Sequence, residues 1–74
     1  MKIWNYGKEE FPKALRTLRE ETGMSQLELS SESGLDQAAI SRYELGERTP
    51  SMTSLLKIAS ALEVDEIRIE IKGR

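Results

Sequence analysis

The chain has 74 residues, a net charge of −2 and neither cysteine nor histidine. That length holds one domain with a small core. It excludes a disulfide framework, a thiolate nucleophile, a cysteine zinc site and the usual imidazole base, and no serine has a plausible base beside it. An enzyme is therefore not expected, nor a metal or other cofactor. No apolar run approaches the roughly 20 residues of a membrane span. The opening MKIWNYGKEE lacks the long apolar segment of a signal peptide. These readings predict a soluble, cytoplasmic protein.

Ile3, Trp4 and Tyr6 open the chain. They can cover one edge of the core, pair as a short strand or meet a partner, and packing is the plainest of the three. A first helix is predicted from Lys8 to about Thr22. Phe11, Leu15 and Leu18 recur at helical spacing, and Pro12 fits only in a first turn. Glu9 and Glu10 suit the N-terminal end of the dipole, and Gly23 suits the exit. Lys13, Arg16 and Arg19 lie on the polar side.

Ser25 starts a second helix. Its hydroxyl can take a free amide of the first turn, while Glu28 reaches back in a capping box. Met24 and Leu29 can form the hydrophobic staple around that cap. Gly34 supplies the positive φ for leaving the helix at once, and Asp36 is placed to cap a third helix, Gln37 to Leu45. Two helices joined so tightly must cross steeply. In the third, Ala39, Ile40 and Tyr43 form the inward stripe. Gln37, Ala38, Ser41 and Arg42 face out.

In this order, Gln26, Leu29, the small Ser30, Gly34, Ile40, Ser41 and Glu44 resemble the helix-turn-helix of the Cro and phage-repressor (XRE-type) family. The resemblance covers about Leu15 to Val64. It implies an all-α fold: a four-helix DNA-binding domain over residues 1–74, with the helix-turn-helix at 25–45. Gln37 to Tyr43 would then be the recognition helix for the major groove of double-stranded DNA. The four outward residues suit base reading: Gln37 for adenine, Arg42 for guanine, Ala38 for the thymine methyl, with Ser41 between them. Taken singly, such residues are as well explained by plain solvation of an exposed helix. Gln26 and Gln37 match positions where phage repressors often carry cooperating glutamines. Arg19 matches the arginine that pairs, in this family, with the glutamate at the position of Glu44. Ser30 departs from the usual alanine, so its hydroxyl needs a backbone partner.

Phosphate contacts should flank the groove. The amides at Ser25 and Gln26 form one positive helix end. The loop from Gly46 to Pro50 supplies Arg48 and Thr49, although Glu47 departs from its basic pattern, and Arg16 is the candidate from the first helix. Leu27 falls on the exposed side of the second helix, where it either folds onto the N-terminal arm or meets another protein.

Ser51 caps a fourth helix, Met52 to Leu62, whose stripe is Leu55, Ile58, Ala59 and Leu62. Then the period changes. Ile67, Ile69 and Ile71 alternate with Glu66, Arg68, Glu70 and Lys72, which reads as a short C-terminal β-strand at 66–72. A lone strand cannot satisfy its backbone. It must pair with Lys2 to Trp4 of its own chain or with a second subunit, and similar strands join two subunits in antitoxin-type repressors. Antiparallel pairing between subunits is favoured, with the three isoleucines at the dimer interface and Arg68 facing Glu70 of the other copy.

The acidic total, 11 basic against 13 acidic side chains, bears on this reading. DNA-binding domains are often basic, so the acids must lie on other faces and one subunit alone should bind weakly. The expected protein is a homodimeric repressor on a pseudo-palindromic operator. The alternatives are an antitoxin that also binds a toxin protein, through Leu27, Trp4 or the strand face, and an interaction module without DNA.

Overall fold

The structure, a computed structural model, describes residues 1–6 and 11–69. In chain order these form β1 (Ile3–Tyr6), α1 (Phe11–Thr22), α2 (Gln26–Ser33), α3 (Gln37–Leu45), α4 (Met52–Ala61) and β2 (Glu66–Ile69). Four helices with a short C-terminal strand match the expected all-α architecture. The expected start of the first helix at Lys8, and Glu9, Glu10, Glu70 and Ile71, lie outside the described residues. Pro12 is the second residue of α1, where its missing N–H costs nothing.

The core follows the predicted stripes. Leu15, Leu29, Ile40, Ile58 and Leu62 are wholly buried, with Ala14, Tyr43, Leu55 and Ala59 around them. Phe11, Leu18, Met24 and Ala39 pack against this cluster from partly buried positions. α3 packs on α1 and α2, and α2 on α4. α3 is thereby backed on its apolar side, while Gln37, Ala38 and Arg42 on the other side are exposed.

The capping signals resolve into geometry. The Ser25 hydroxyl accepts from the Glu28 amide at 3.0 Å, and the Ser25 amide donates to the Glu28 carboxylate at 2.9 Å. Ser51 caps α4 by accepting from the Ser54 amide at 3.2 Å. α4 ends at Ala61, one residue before the expected limit, and Glu63 takes φ +58° just beyond it. That is a left-handed position filled without glycine, so nothing in the sequence marked it. Asp36 corrects a prediction. It occupies the cap position of α3, but its side chain makes no capping hydrogen bond.

β2 also departs from the favoured reading. It pairs with β1 of its own chain, and in parallel: Ile3 with Glu66, Trp4 with Ile67, Asn5 with Arg68 and Tyr6 with Ile69. Two causes are visible. Trp4 is only 2% exposed and stacks on Phe11 with ring centroids 5.5 Å apart, so β1 is held on the core and offers β2 an edge. Lys2 then fastens both ends of the chain. Its carbonyl accepts from the Asp65 amide at 2.8 Å and its amide donates to the Asp65 carboxylate at 2.7 Å. Its ammonium donates to the Leu62 carbonyl at 2.7 Å and to Thr22 at 2.6 Å, at the C-terminal ends of α4 and α1, where a cation is favoured. Burial also removes Trp4 from the surface available to a partner. Arg68 pairs with Glu66 of its own strand at 2.9 Å rather than across a two-fold axis.

Lys2→Met keeps the apolar stem and removes both ammonium hydrogen bonds. It should cost about 1–3 kcal/mol and lower the thermal midpoint. An unchanged midpoint would show that the clasp adds nothing.

Candidate nucleic-acid interface

The turn that sets α3 against α2 is held from both sides. Gly34 leaves α2 at φ +76°, and its amide still donates to the Ser30 carbonyl at 2.9 Å. The Ser30 hydroxyl donates to the Leu35 carbonyl, the backbone partner its departure from alanine required. Ser33, buried in the crossing, accepts from the Leu35 amide at 3.2 Å. This second serine lock was missed in the sequence, although a serine just before a turn glycine is a recognised side-chain turn signal.

Beyond the turn, α3 has the expected inward stripe, but Ser41, expected to face out, is only partly exposed. Ile40 and Tyr43 are buried, Ala39 and Ser41 half-buried, and Gln37, Ala38 and Arg42 exposed. The outward side chains of Gln37 and Arg42 take part in no side-chain hydrogen bond among the described residues, so their donors and acceptors remain free for a ligand.

The far end of α3 is fixed by a buried charge. The Arg19 guanidinium donates to both oxygens of Glu44, at 2.6 and 3.1 Å, and to the Met24 carbonyl at 2.7 Å. The two side chains are only 11% and 5% exposed. The hydrogen bond to Glu44 holds the guanidinium proton more tightly than usual, against the opposing effect of burial. Gln26 joins the pair by donating from Nε2 to Glu44 at 3.0 Å.

The residues proposed for phosphate contact meet different fates. Arg48 and Thr49 are exposed on the loop after α3, beside exposed Glu47, and Pro50 behind them is buried. Arg16 is exposed but bridges to Glu20, one turn along α1, at 3.3 Å. Ser25 spends its amide and its acceptor in the capping box, leaving the hydroxyl proton. The Gln26 side-chain nitrogen is spent on Glu44. At the start of α2 the groups left for an anion are the backbone amides of Gln26 and Leu27, which no helix can satisfy internally. The Glu28 carboxylate shares that end, so the clamp is weaker than a bare helix start. Leu27 is exposed, as expected.

Glu28 carries a pH dependence. The Ser25 amide, by donating to it, holds the Glu28 carboxyl below its ordinary range. Its stabilising effect is full above the unfolded carboxylate value and is lost as pH falls through the lowered folded value. Glu28→Gln should keep the reciprocal bond and flatten this part of the acid limb, measured by denaturation between about pH 2 and 5. The buried pair predicts a larger effect. Glu44→Ala strands the Arg19 charge and should cost about 3–5 kcal/mol, readable as the denaturation midpoint. A loss below about 1 kcal/mol, typical of a surface pair, would contradict a structural role.

Comparison with known proteins places this geometry. The family model described as Helix-turn-helix matches residues 15–69. An uncharacterized HTH-type transcriptional regulator, y4dL, of Sinorhizobium fredii is 43% identical over 60 residues, covering 81% of this chain. This chain spans only 31% of that relative's length. Antitoxin HipB of Escherichia coli is 31% identical, over 96% of this chain and 85% of its own length. Among solved structures, the restriction-modification controller protein C.Esp1396I, a tetramer in complex with its natural 35 base-pair operator, superposes with a TM-score of 0.72 at 34% identity. That match covers 76% of this chain and 74% of the other. The chain belongs to the helix-turn-helix family of the Cro and phage-repressor type.

Proposed function

We propose that this chain is a sequence-specific DNA-binding transcriptional regulator that reads an operator in the major groove with α3. The observation that carries the reading is the division of α3. Its apolar side is sealed on the core, its last turn is anchored by Glu44, and Gln37, Ala38, Ser41 and Arg42 are left on the open side with their polar groups unspent. These residue types match base edges: amide to adenine, guanidinium to guanine, methyl to thymine. Arg48, Thr49, the hydroxyl of Ser25, the amide end of α2 at Gln26 and, once freed from Glu20, Arg16 supply the phosphate contacts that set register. The operator complex of C.Esp1396I supports this use of the fold. The working compartment is the cytoplasm.

The regulator acts as a homodimer and represses. Three or so cations per subunit, beside Glu28, Asp36 and Glu47, give one copy little hold on DNA. Two copies place recognition helices one DNA turn apart, roughly 34 Å, on a pseudo-palindromic site. Within each chain β2 uses one edge against β1, so among the described residues its other edge, with half-exposed Ile69, remains for a second copy. Ile67 lies against the core and supports that edge from beneath.

A second reading is favoured by the match to Antitoxin HipB along nearly the whole chain. In it the protein also binds a toxin protein and represses its own operon in the complex. Exposed Leu27 is one apolar surface residue that the DNA reading leaves without a task. Co-purification from the native host separates the two.

Arg42→Ala should weaken operator binding by about 1–3 kcal/mol and relax preference at one base position, measured by gel shift against a panel of single-base variants. Unchanged preference would remove Arg42 from the reading face. Operator affinity should also fall about a thousandfold between about 50 and 200 mM salt if the dimer meets at least six phosphates. A flat response would contradict the phosphate contacts.

A further inference from the structure

Gln26 was expected at the DNA backbone, yet its side chain is turned inward to Glu44. We propose that Gln26 is a positioning residue that serves DNA recognition through Glu44, by fixing the angle between α2 and α3. The proposal rests on the DNA-binding reading and adds how its two contact elements are held in register.

The argument is one of closure. α2 and α3 pack side against side, but the chain connects them only at the Gly34–Asp36 turn. Their other ends, the start of α2 at Gln26 and the last turn of α3 at Glu44, are far apart in sequence. The 3.0 Å hydrogen bond from Gln26 Nε2 to Glu44 Oε1 joins those open ends. The two helices and this bond make a closed triangle, whose angles cannot change unless a side breaks. Arg19 does not do the same work. It ties Glu44 to α1 and to the Met24 carbonyl ahead of α2, but makes no bond to α2 itself.

The bond sits where it holds. The Glu44 side chain is 5% exposed and Gln26 is half-buried, so water competes poorly for either. Glu44 Oε1 takes Arg19 and Gln26 together, within the capacity of a carboxylate oxygen. The angle matters because the two elements have separate duties. The amide end of α2 meets phosphate while α3 meets base edges. A tilt of one against the other satisfies only one contact at a time. Phosphate contact is common to all DNA, so the penalty falls on the operator.

The test is selectivity. Gln26→Met keeps the length of the side chain and removes the donor. It should weaken operator binding about tenfold, the worth of a hydrogen bond to a charged group, while affinity for random DNA changes less than twofold. Preference should soften across all base positions of the half-site in a selection from a random DNA pool. Three results overturn the proposal: equal loss on operator and random DNA, which marks a direct phosphate contact; altered preference at one position alone, which marks a base contact; or a lowered thermal midpoint with selectivity intact. The wild-type chain is measured first in the same assay. If it shows no sequence preference, the DNA-binding reading fails and takes this proposal with it. If it shows preference that Gln26→Met retains, this proposal fails alone.

Discussion

The Glu44 carboxylate is the point on which the molecule turns. It sits in the last turn of α3, almost without solvent, and receives donors from α1 and from the start of α2. A buried carboxylate without partners would cost several kcal/mol, so the network must stand or fall as a unit. Apolar contacts hold α3 near the right place, but they are not directional. The charge-assisted bonds are, and they specify how the recognition helix lies against its neighbours.

This division of labour explains how an acidic protein can present a DNA-reading face. Net charge describes the molecule at long range, while binding depends on the field at the contact surface. Arg19 and Glu44 cancel one another inside, and Arg16 with Glu20 and Arg68 with Glu66 cancel on the surface. What remains near the recognition helix is Arg42 and Arg48, tempered by Asp36 and Glu47. A face so sparingly charged holds random DNA weakly, which favours selectivity over raw affinity. It is also the reason the proposed mechanism calls on a second copy.

Much of the fold was legible because local chemistry and global architecture agreed. The capping box at Ser25 and Glu28, the glycine exits at Gly23 and Gly34, and the stripes on α1, α3 and α4 each had one physical meaning. The Arg19–Glu44 pair was legible through family resemblance alone, since nothing in the spacing of two charges on different helices joins them. Asp36 misled because a capping residue in the right place need not turn its carboxylate toward the helix. β2 misled for a different reason. Alternating isoleucines declare a strand but not its partner, and the decisive facts were the burial of Trp4 and the reach of Lys2, both set by tertiary contact. Gln26 fits a DNA contact equally well on paper; only the neighbouring carboxylate shows where its amide goes.

The central claim is that α3, fixed by this network, reads a defined sequence in two copies. Selection of bound sites from a random double-stranded DNA pool by the unaltered protein tests it most directly. The account predicts an enriched pseudo-palindrome whose half-sites are centred about 10 base pairs apart, one turn of the helix. A pool that emerges without any enriched sequence, or with one unpaired half-site bound at full affinity, would contradict it.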